Sequence, residues 1–466
     1  MSDRRVVVLD VGKTMAKASL WDEAGALVRR IVRPNARVLA AEYPALDAAG
    51  IEVWLGEVLK QFASLGPIGA IIPVAHGAAA AIIRDGALAA PPMDYEHEPS
   101  PEHREAYRRQ RDAFSHTGSP AMGLALNLGQ QLHCLEAIRP DLLTGDAVIL
   151  PWPQYWAWVL SGVAASEVTS LGSHTDLWSP ARGGASDMAV RRGWAARLAP
   201  VREARDVLGP ISQHWAKRTG LPGDVQVYAG LHDSNAALYA ARGFPEIADQ
   251  DATVISTGTW FVSMRSLGPE STFDLETLPG DRNCLVNVDT EGRPAPTALF
   301  MGGREIDLLG GADIDAPERQ HPMMAAIRAV VSRDIMVSPT MAPGTGPFPN
   351  GRGGWSHASG DASESGAAIA LYAALMCDVG RDLIGANGPV LIDGRFGRCA
   401  PFARALASLR PDARVFIGSE ESDVSFGALR VARPHLRPNL ALKEMSPLGL
   451  DLSDYRSRWR DRASML

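Results

Sequence analysis

The sequence is poor in cysteine, with four in 466 residues at Cys134, Cys284, Cys377 and Cys399. None are near enough for a C-x-x-C pair, which excludes a zinc knuckle and a dithiol redox motif; scattered thiols fit buried residues in a reducing compartment. Long apolar runs are also missing. The stretch 68–83 is broken by Pro73, His76 and Gly77, and it falls short of the roughly 20 residues that cross a bilayer. No secretory leader is expected, because Arg4-Arg5 leads into only Val6–Leu9 before Asp10 intervenes. Basic charge is not in excess: 46 Lys and Arg stand against 53 Asp and Glu, a net charge of −7. Such a surface repels nucleic acid and anionic membranes. The expectation is a cytoplasmic protein with neither as a partner. A small acidic bias still permits phosphate binding through backbone N–H groups and Mg²⁺.

What is present is ordinary for a globular protein, 46 % apolar and 21 % charged, and excludes a disordered chain. The length predicts two to four domains. The N-terminus reads as a β-meander, with strands over 5–10, 16–21 and 26–32. Alternating segments follow: a helix over 53–65, a strand over 68–74, helices over 102–114, 130–138, 155–160 and 194–198, a strand over 225–229 and a helix over 234–241. This order predicts α/β packing. Residues 254–265 (VISTGTWFVSMR) echo 8–18 (VLDVGKTMAKA), with Gly258 in the place of Gly12. The echo reads either as duplication of a domain or as coincidence between two hairpins. Alternation then resumes, with a helix over 362–377, a strand over 389–393, a helix over 401–408, a strand over 414–418 and a helix over 422–430. Residues 341–355 form a Gly/Pro-rich loop, and the polar tail 453–462 reads as a surface helix.

Gly12-Lys13-Thr14 is not a P-loop: the glycine that motif needs is replaced by Val7, and a strand follows instead of a helix. It reads as an ordinary turn or as a phosphate-binding hairpin, with Asp10 placed at a strand end to hold hydrated Mg²⁺. Asp233, before the small-residue helix 234–241, reads as an N-cap or as a general base that takes a hydroxyl proton; the local pattern favours the cap. Residues 256–259 (Ser-Thr-Gly-Thr) are a second donor-rich turn. Residues 94–98 (Asp-Tyr-Glu-His-Glu) read as a solvated turn or as an edge that accepts hydrogen bonds from sugar hydroxyls. His97 and His103 lack a compelling further metal ligand.

Taken in order, these segments resemble the FGGY carbohydrate kinases. Their D-x-G-T-x-x-x-K hairpin is similar to Asp10, Gly12, Lys13, Thr14 and Lys17, followed by Trp21-Asp22 and Gly25. Their Q-x-H-G looks like Val74-Ala75-His76-Gly77, and L-P-x-D-Y…L-T-G is similar to Leu150-Pro151…Leu160-Ser161-Gly162, followed by Glu167 and Thr169. G-x-x-D-x-x-A-A is matched by Gly230, Asp233, Ala236 and Ala237, the second phosphate turn by 256–259, the Gly-Gly helix entry by Gly302-Gly303 and D-G-G by Asp393-Gly394.

The resemblance implies two actin-like (ribonuclease H-like) α/β domains, 1–241 and 242–466, closing on a central cleft for ATP and sugar. It implies Asp233 as base and Asp10 on Mg²⁺. His76, Gly77, Asp94, Tyr95 and Asp233 would meet the sugar. Gly12, Lys13, Thr14, Thr257, Gly258 and Thr259 would meet phosphates, and Gly302, Gly303 and Gly394 the rest of the ATP. The acceptor would be a ketose or polyol of the L-rhamnulose, L-fuculose or xylulose type; a homodimer is compatible with it. Four departures stand out: Lys13 for Thr, Val74 for Gln, residues 93–98 in place of a W-x-D-x-R loop, and Arg395 in D-G-G. They leave open a non-catalytic sugar or nucleotide sensor, or an actin-like ATPase acting on a protein.

Overall fold

The computed structural model describes residues 4–40, 42–311, 324–357, 360–418 and 423–465. By internal contacts the chain divides into two units. The first takes Met1–Gly243, Val286–Pro294 and Glu421–Asn439; the second takes Phe244–Leu285, Ala295–Glu420 and Leu440–Leu466. Residues 286–294 and 423–439 thus count with the N-terminal unit, an assignment that a linear division at 241/242 does not contain.

The first unit is built on a seven-stranded sheet. Its strands are β1 (Arg5–Val11), β2 (Met15–Trp21), β3 (Leu27–Pro34), β4 (Ile68–Ala75), β5 (Val207–Pro210), β6 (Gln226–Tyr228) and β7 (Leu231–His232). Their spatial order is β5-β6-β4-β1-β2-β3, with β7 also on β4. β1 to β3 form the expected antiparallel meander, while β4 lies parallel to β1, and β7 parallel to β4.

The continuous apolar run of β1 follows from burial on both faces, as strands in parallel pairing require. Val7, Leu9 and Val11 enter one core, packed by α1 (Ala48–Ala63) and α2 (Trp152–Ser161). Val6 and Val8 enter another, closed by α3 (Asp233–Ala241) and α4 (Val424–Ala432).

A second seven-stranded sheet, lying in the second unit except for Val286–Val288 and Pro294, comprises β8 (Ala252–Thr257), β9 (Phe261–Ser266), β10 (Cys284–Val288), β11 (Pro294–Phe300), β12 (Val390–Gly394), β13 (Val415–Ile417) and β14 (Lys443–Glu444). Its order is β10-β11-β9-β8-β12-β13-β14. Again an antiparallel hairpin, β8–β9, has its first strand paired in parallel with a much later one, β12. The echo between the two hairpins therefore extends to their sheets. The core of this unit gathers on the helix Ala362–Leu383, buried along Ser365–Arg381.

Several expected elements differ. Helix α1 starts at Ala48 because the Asp47 side chain accepts from the Gly50 N–H. The expected helix 102–114 stops at Arg108. Beyond it Arg111 is drawn to Asp176 and Asp112 accepts from the Met188 N–H, so tertiary partners replace helical ones. Only Ala195–Arg197 of 194–198 is helical, as one 3₁₀ turn. Position 422 of the expected helix 422–430 lies outside the described residues. The tail is a helix over Ser453–Ser464 at the surface, as expected, with one inner stripe of Tyr455, Trp459 and Ala463 buried.

Candidate active site

Strand register brings the first site together. Asp10 of β1 is opposite Val74 of β4, and Leu231 of β7 pairs with the same Val74. Asp10, His76 and Asp233 therefore sit at the carboxyl ends of three parallel strands, where open α/β sheets place ligands. Gly230 makes this possible. It adopts φ +75°, and a Cβ there would stand 2.1 Å from the Pro73 carbonyl oxygen.

Asp233 is not the cap of its helix. His232 occupies the N-cap position, and Asp233 is the first helical residue. Its Oδ1 accepts from the Ser234 N–H at 2.6 Å and the Ser234 hydroxyl at 3.2 Å, with His232 Nε2 also at 3.2 Å. Oδ2 has no hydrogen-bond partner among the described residues, and 28 % of the side chain stays open. Burial raises its pKa to about 6, against the lowering effect of the Ser234 hydrogen bonds.

Asp10 is also buried, and burial raises its pKa to about 6; Lys17, whose Nζ is 3.3 Å from Oδ2, opposes the rise, while Asp233 and Asp423 add to it. Asp10 thus feels one ammonium and two further carboxylates, of which Asp423 is itself paired with Arg30 at 2.7 Å. Among the described residues no three His, Cys, Asp or Glu side chains converge on a metal position, so Asp10 suits only a Mg²⁺ ion that takes one or two carboxylate oxygens and keeps several waters.

Behind Asp233, Glu167 and Thr169, which the sequence match includes without assigning them a role, form a relay. Glu167 is fully buried, and its carboxylate accepts from the Thr169 hydroxyl at 2.7 Å and from the Thr169 and Ser170 N–H groups. Thr169 Oγ1 in turn accepts from the His232 N–H at 3.0 Å, which fixes the backbone just before Asp233. Burial pushes the Glu167 pKa up to about 7 despite these hydrogen bonds.

His76 and His232 are buried and His174 partly so; desolvation pushes their pKa values down to about 3, 4 and 4, in that order, and holds them neutral. His76 Nδ1 accepts from the Ala78 N–H, so the ring proton sits on Nε2, which has no hydrogen-bond partner among the described residues. The ring meets Tyr95 edge-on at 5.5 Å, and Gly77 faces the Ser173 hydroxyl and the His232 ring.

Asp94 is not on a solvated turn. It is fully buried, paired with Lys13 through Oδ1 and with Arg37 Nε at 2.8 Å through Oδ2. Burial raises its pKa, but these cations and the Glu96 N–H outweigh that effect and leave it below the usual range. The structure therefore places Lys13 on the loop that follows position 93. Gly12 closes the hairpin through its N–H to Met15, and Thr14 is exposed.

The other expected contacts meet in the second unit. Thr257 Oγ1 donates to the Asp393 carbonyl oxygen at 2.6 Å and accepts from the Phe396 N–H at 3.0 Å. Gly394 packs on the Thr257 backbone. Gly302 opens the helix Gly302–Gly310 against Phe261, and a Cβ on Gly303 would come within 2.2 Å of the Gly258 carbonyl oxygen. Gly258 and Thr259 are left exposed beside that helix start.

The sequence reading missed Asp423, which belongs to the first unit from far along the chain. It salt-bridges Arg30 at 2.7 Å and caps α4 through the Ser425 and Phe426 N–H groups. The cap pattern is readable locally, but its approach to Asp10 is not.

A family model for the C-terminal domain of FGGY carbohydrate kinases matches residues 249–439. The chain is 48 % identical to a carbohydrate kinase from Novosphingobium aromaticivorans, whose crystal structure it matches over 100 % of its own length and 99 % of that chain with a TM-score of 0.92. It is 27 % identical over 292 residues to an L-fuculokinase from Salmonella typhi, spanning 59 % of each chain. The xylulose kinase from Rhodospirillum rubrum, 17 % identical, shares the fold alone, with a TM-score of 0.80 over 99 % of this chain and 98 % of that one. With this likeness along its whole length and the family's C-terminal model matched, the chain belongs to the FGGY family of carbohydrate kinases.

Proposed function

We propose that this chain is an ATP-dependent carbohydrate kinase that transfers the γ-phosphoryl group to a hydroxyl of a ketose or polyol. The observation that carries the reading is Asp233, with one carboxylate oxygen anchored, the other unengaged among the described residues, and a pKa of about 6. A sugar hydroxyl is a weak nucleophile, and a carboxylate within hydrogen-bond reach takes its proton as the oxygen attacks phosphorus. A pKa near 6 leaves the base ionised at neutral pH yet more basic than an ordinary carboxylate.

In this reading Tyr95 and His76 form the acceptor edge, with His76 offering its unfilled Nε2–H to a sugar oxygen. Burial raises the Asp233 pKa and outweighs Lys17 and His174, which pull it down. Asp10 would hold Mg²⁺ through water, with Lys17 balancing its charge; the ion, when bound, neutralises charge on the phosphate oxygens. The turns at Gly258-Thr259 and the entry at Gly302-Gly303 supply backbone N–H groups for the nucleotide. The relative with L-fuculokinase activity makes an L-fuculose-type ketose the first acceptor to try. A non-catalytic sensor would have no use for an unengaged carboxylate of raised pKa.

A coupled ADP-release screen over ketoses and polyols tests the proposal. We expect turnover on one of them, and a loss of at least about 1,000-fold in Asp233→Ala with nucleotide affinity within about twofold. Full turnover in that variant would remove Asp233 from the role.

A further inference from the structure

The tip of the β1–β2 hairpin and the loop at 94–96 are 81 residues apart and share one ion cluster. Lys13 Nζ pairs with Asp94, stands 3.8 Å from Glu96 Oε2 and lies 4.7 Å from the centre of the Tyr95 ring. Arg37 binds Asp94 and Glu96 from the other side. Two cations and two carboxylates cancel, so the ammonium carries no surplus charge for a phosphate. Buried Asp94 has both oxygens filled, and the Glu96 N–H also donates to it at 2.9 Å. The next residue is Tyr95, whose ring abuts His76.

We propose that Lys13 is a positioning residue for the sugar, not a phosphate ligand: it clamps Asp94 so that Tyr95 and His76 present a pre-formed acceptor edge. Pre-forming that edge lowers the ordering cost of binding, so Lys13 sets acceptor affinity. Removing Lys13 leaves Asp94 Oδ1 with only the Glu96 N–H while Arg37 still holds Oδ2, so the clamp is halved and the loop loosens. The inference rests on the kinase reading for its kinetic consequence, but not for its structural one.

Two measurements on the full chain therefore run together. The first is KM for sugar and for ATP, separately, in Lys13→Thr, Lys13→Arg, Asp94→Asn and the Lys13→Thr/Asp94→Asn double variant. The second is amide hydrogen exchange of residues 93–98 without ligand. We expect Lys13→Thr to raise the sugar KM about tenfold, with kcat and ATP KM within about twofold, and to speed exchange in the loop. Lys13→Arg should recover most of both effects. The double variant should be no worse than the poorer single one by more than about twofold, because the two residues act as one unit. A rise in ATP KM with sugar KM and loop exchange unchanged would overturn the proposal and return Lys13 to the phosphates. Were the unaltered chain to release no ADP with any sugar, the kinase reading would fail, and unchanged loop exchange in Lys13→Thr would separately dispose of the clamp.

Discussion

Asp233 shows how a single side chain carries opposite demands. Its folded pKa of about 6 lies above the ordinary carboxylate value. Between those two values the folded state binds more protons than the unfolded chain, so stability falls as pH rises through that window. At pH 7.5 the ionised base costs at most about 3 kcal/mol, one pKa unit being about 1.4 kcal/mol. Asp233→Asn should therefore unfold at higher urea than the parent at pH 7.5, with the gain disappearing below about pH 4, while phosphorylation is lost. For the parent, kcat/KM should fall about tenfold per pH unit below pH 6, as the base becomes protonated. Glu167 acts at one remove. Glu167→Ala strips the Thr169 and Ser170 donors of their acceptor, and we expect a loss of about 1–3 kcal/mol in urea unfolding. A drop in kcat with sugar KM little changed would mark its effect on the placement of Asp233. The sequence showed Asp233 as a choice between cap and base, and nothing local decides that. Its place as first helical residue rules out the cap, and the φ of Gly230, the relay from Glu167 and the unengaged Oδ2 support the proposal of a base.

At the scale of elements, periodicity and caps made most helices and strands legible, and the failures share a cause. Expected helix 102–114 ends early because Arg111 and Asp112 find partners about 65 and 76 residues away. The tail helix lies at the surface as expected, but its charged composition masks the Tyr-Trp-Ala stripe that it buries at four-residue spacing. The contact of α3 with α4 is set by Gly427, where a Cβ would stand 1.8 Å from the Ala236 carbonyl oxygen. Gly427→Ala must push the two helices apart and open the core around Phe426 and Leu429. We expect a loss of about 1–3 kcal/mol in chemical denaturation. The same denaturation curve with and without the substitution would show the helices less closely packed than described.

Across the whole molecule, the first unit is not continuous in sequence. Phe426, Ala428, Leu429 and Val431 of α4 cover Val6, Val8, Trp21, Ala70 and Ile72 of its sheet. A fragment ending at residue 243 lacks that cover, so we expect it to bind a hydrophobic dye and to show weak near-ultraviolet circular dichroism. Supplying residues 286–294 and 423–439, each after a flexible linker, should restore a cooperative transition; a fragment that folds without 423–439 would refute the role given to α4. The sequence by itself determined the alternation of strands and helices, the paired hairpins at Gly12 and Gly258, and the ordered motifs that mark the family, because these depend on local pattern and spacing. Tertiary structure alone decided that Asp423 stands near Asp10, that Asp94 is buried beneath Lys13 and Arg37, and that one oxygen of Asp233 is left unengaged. Burial, charge pairing and close backbone approach are properties of neighbours in space, and chain order does not encode which distant residue becomes one.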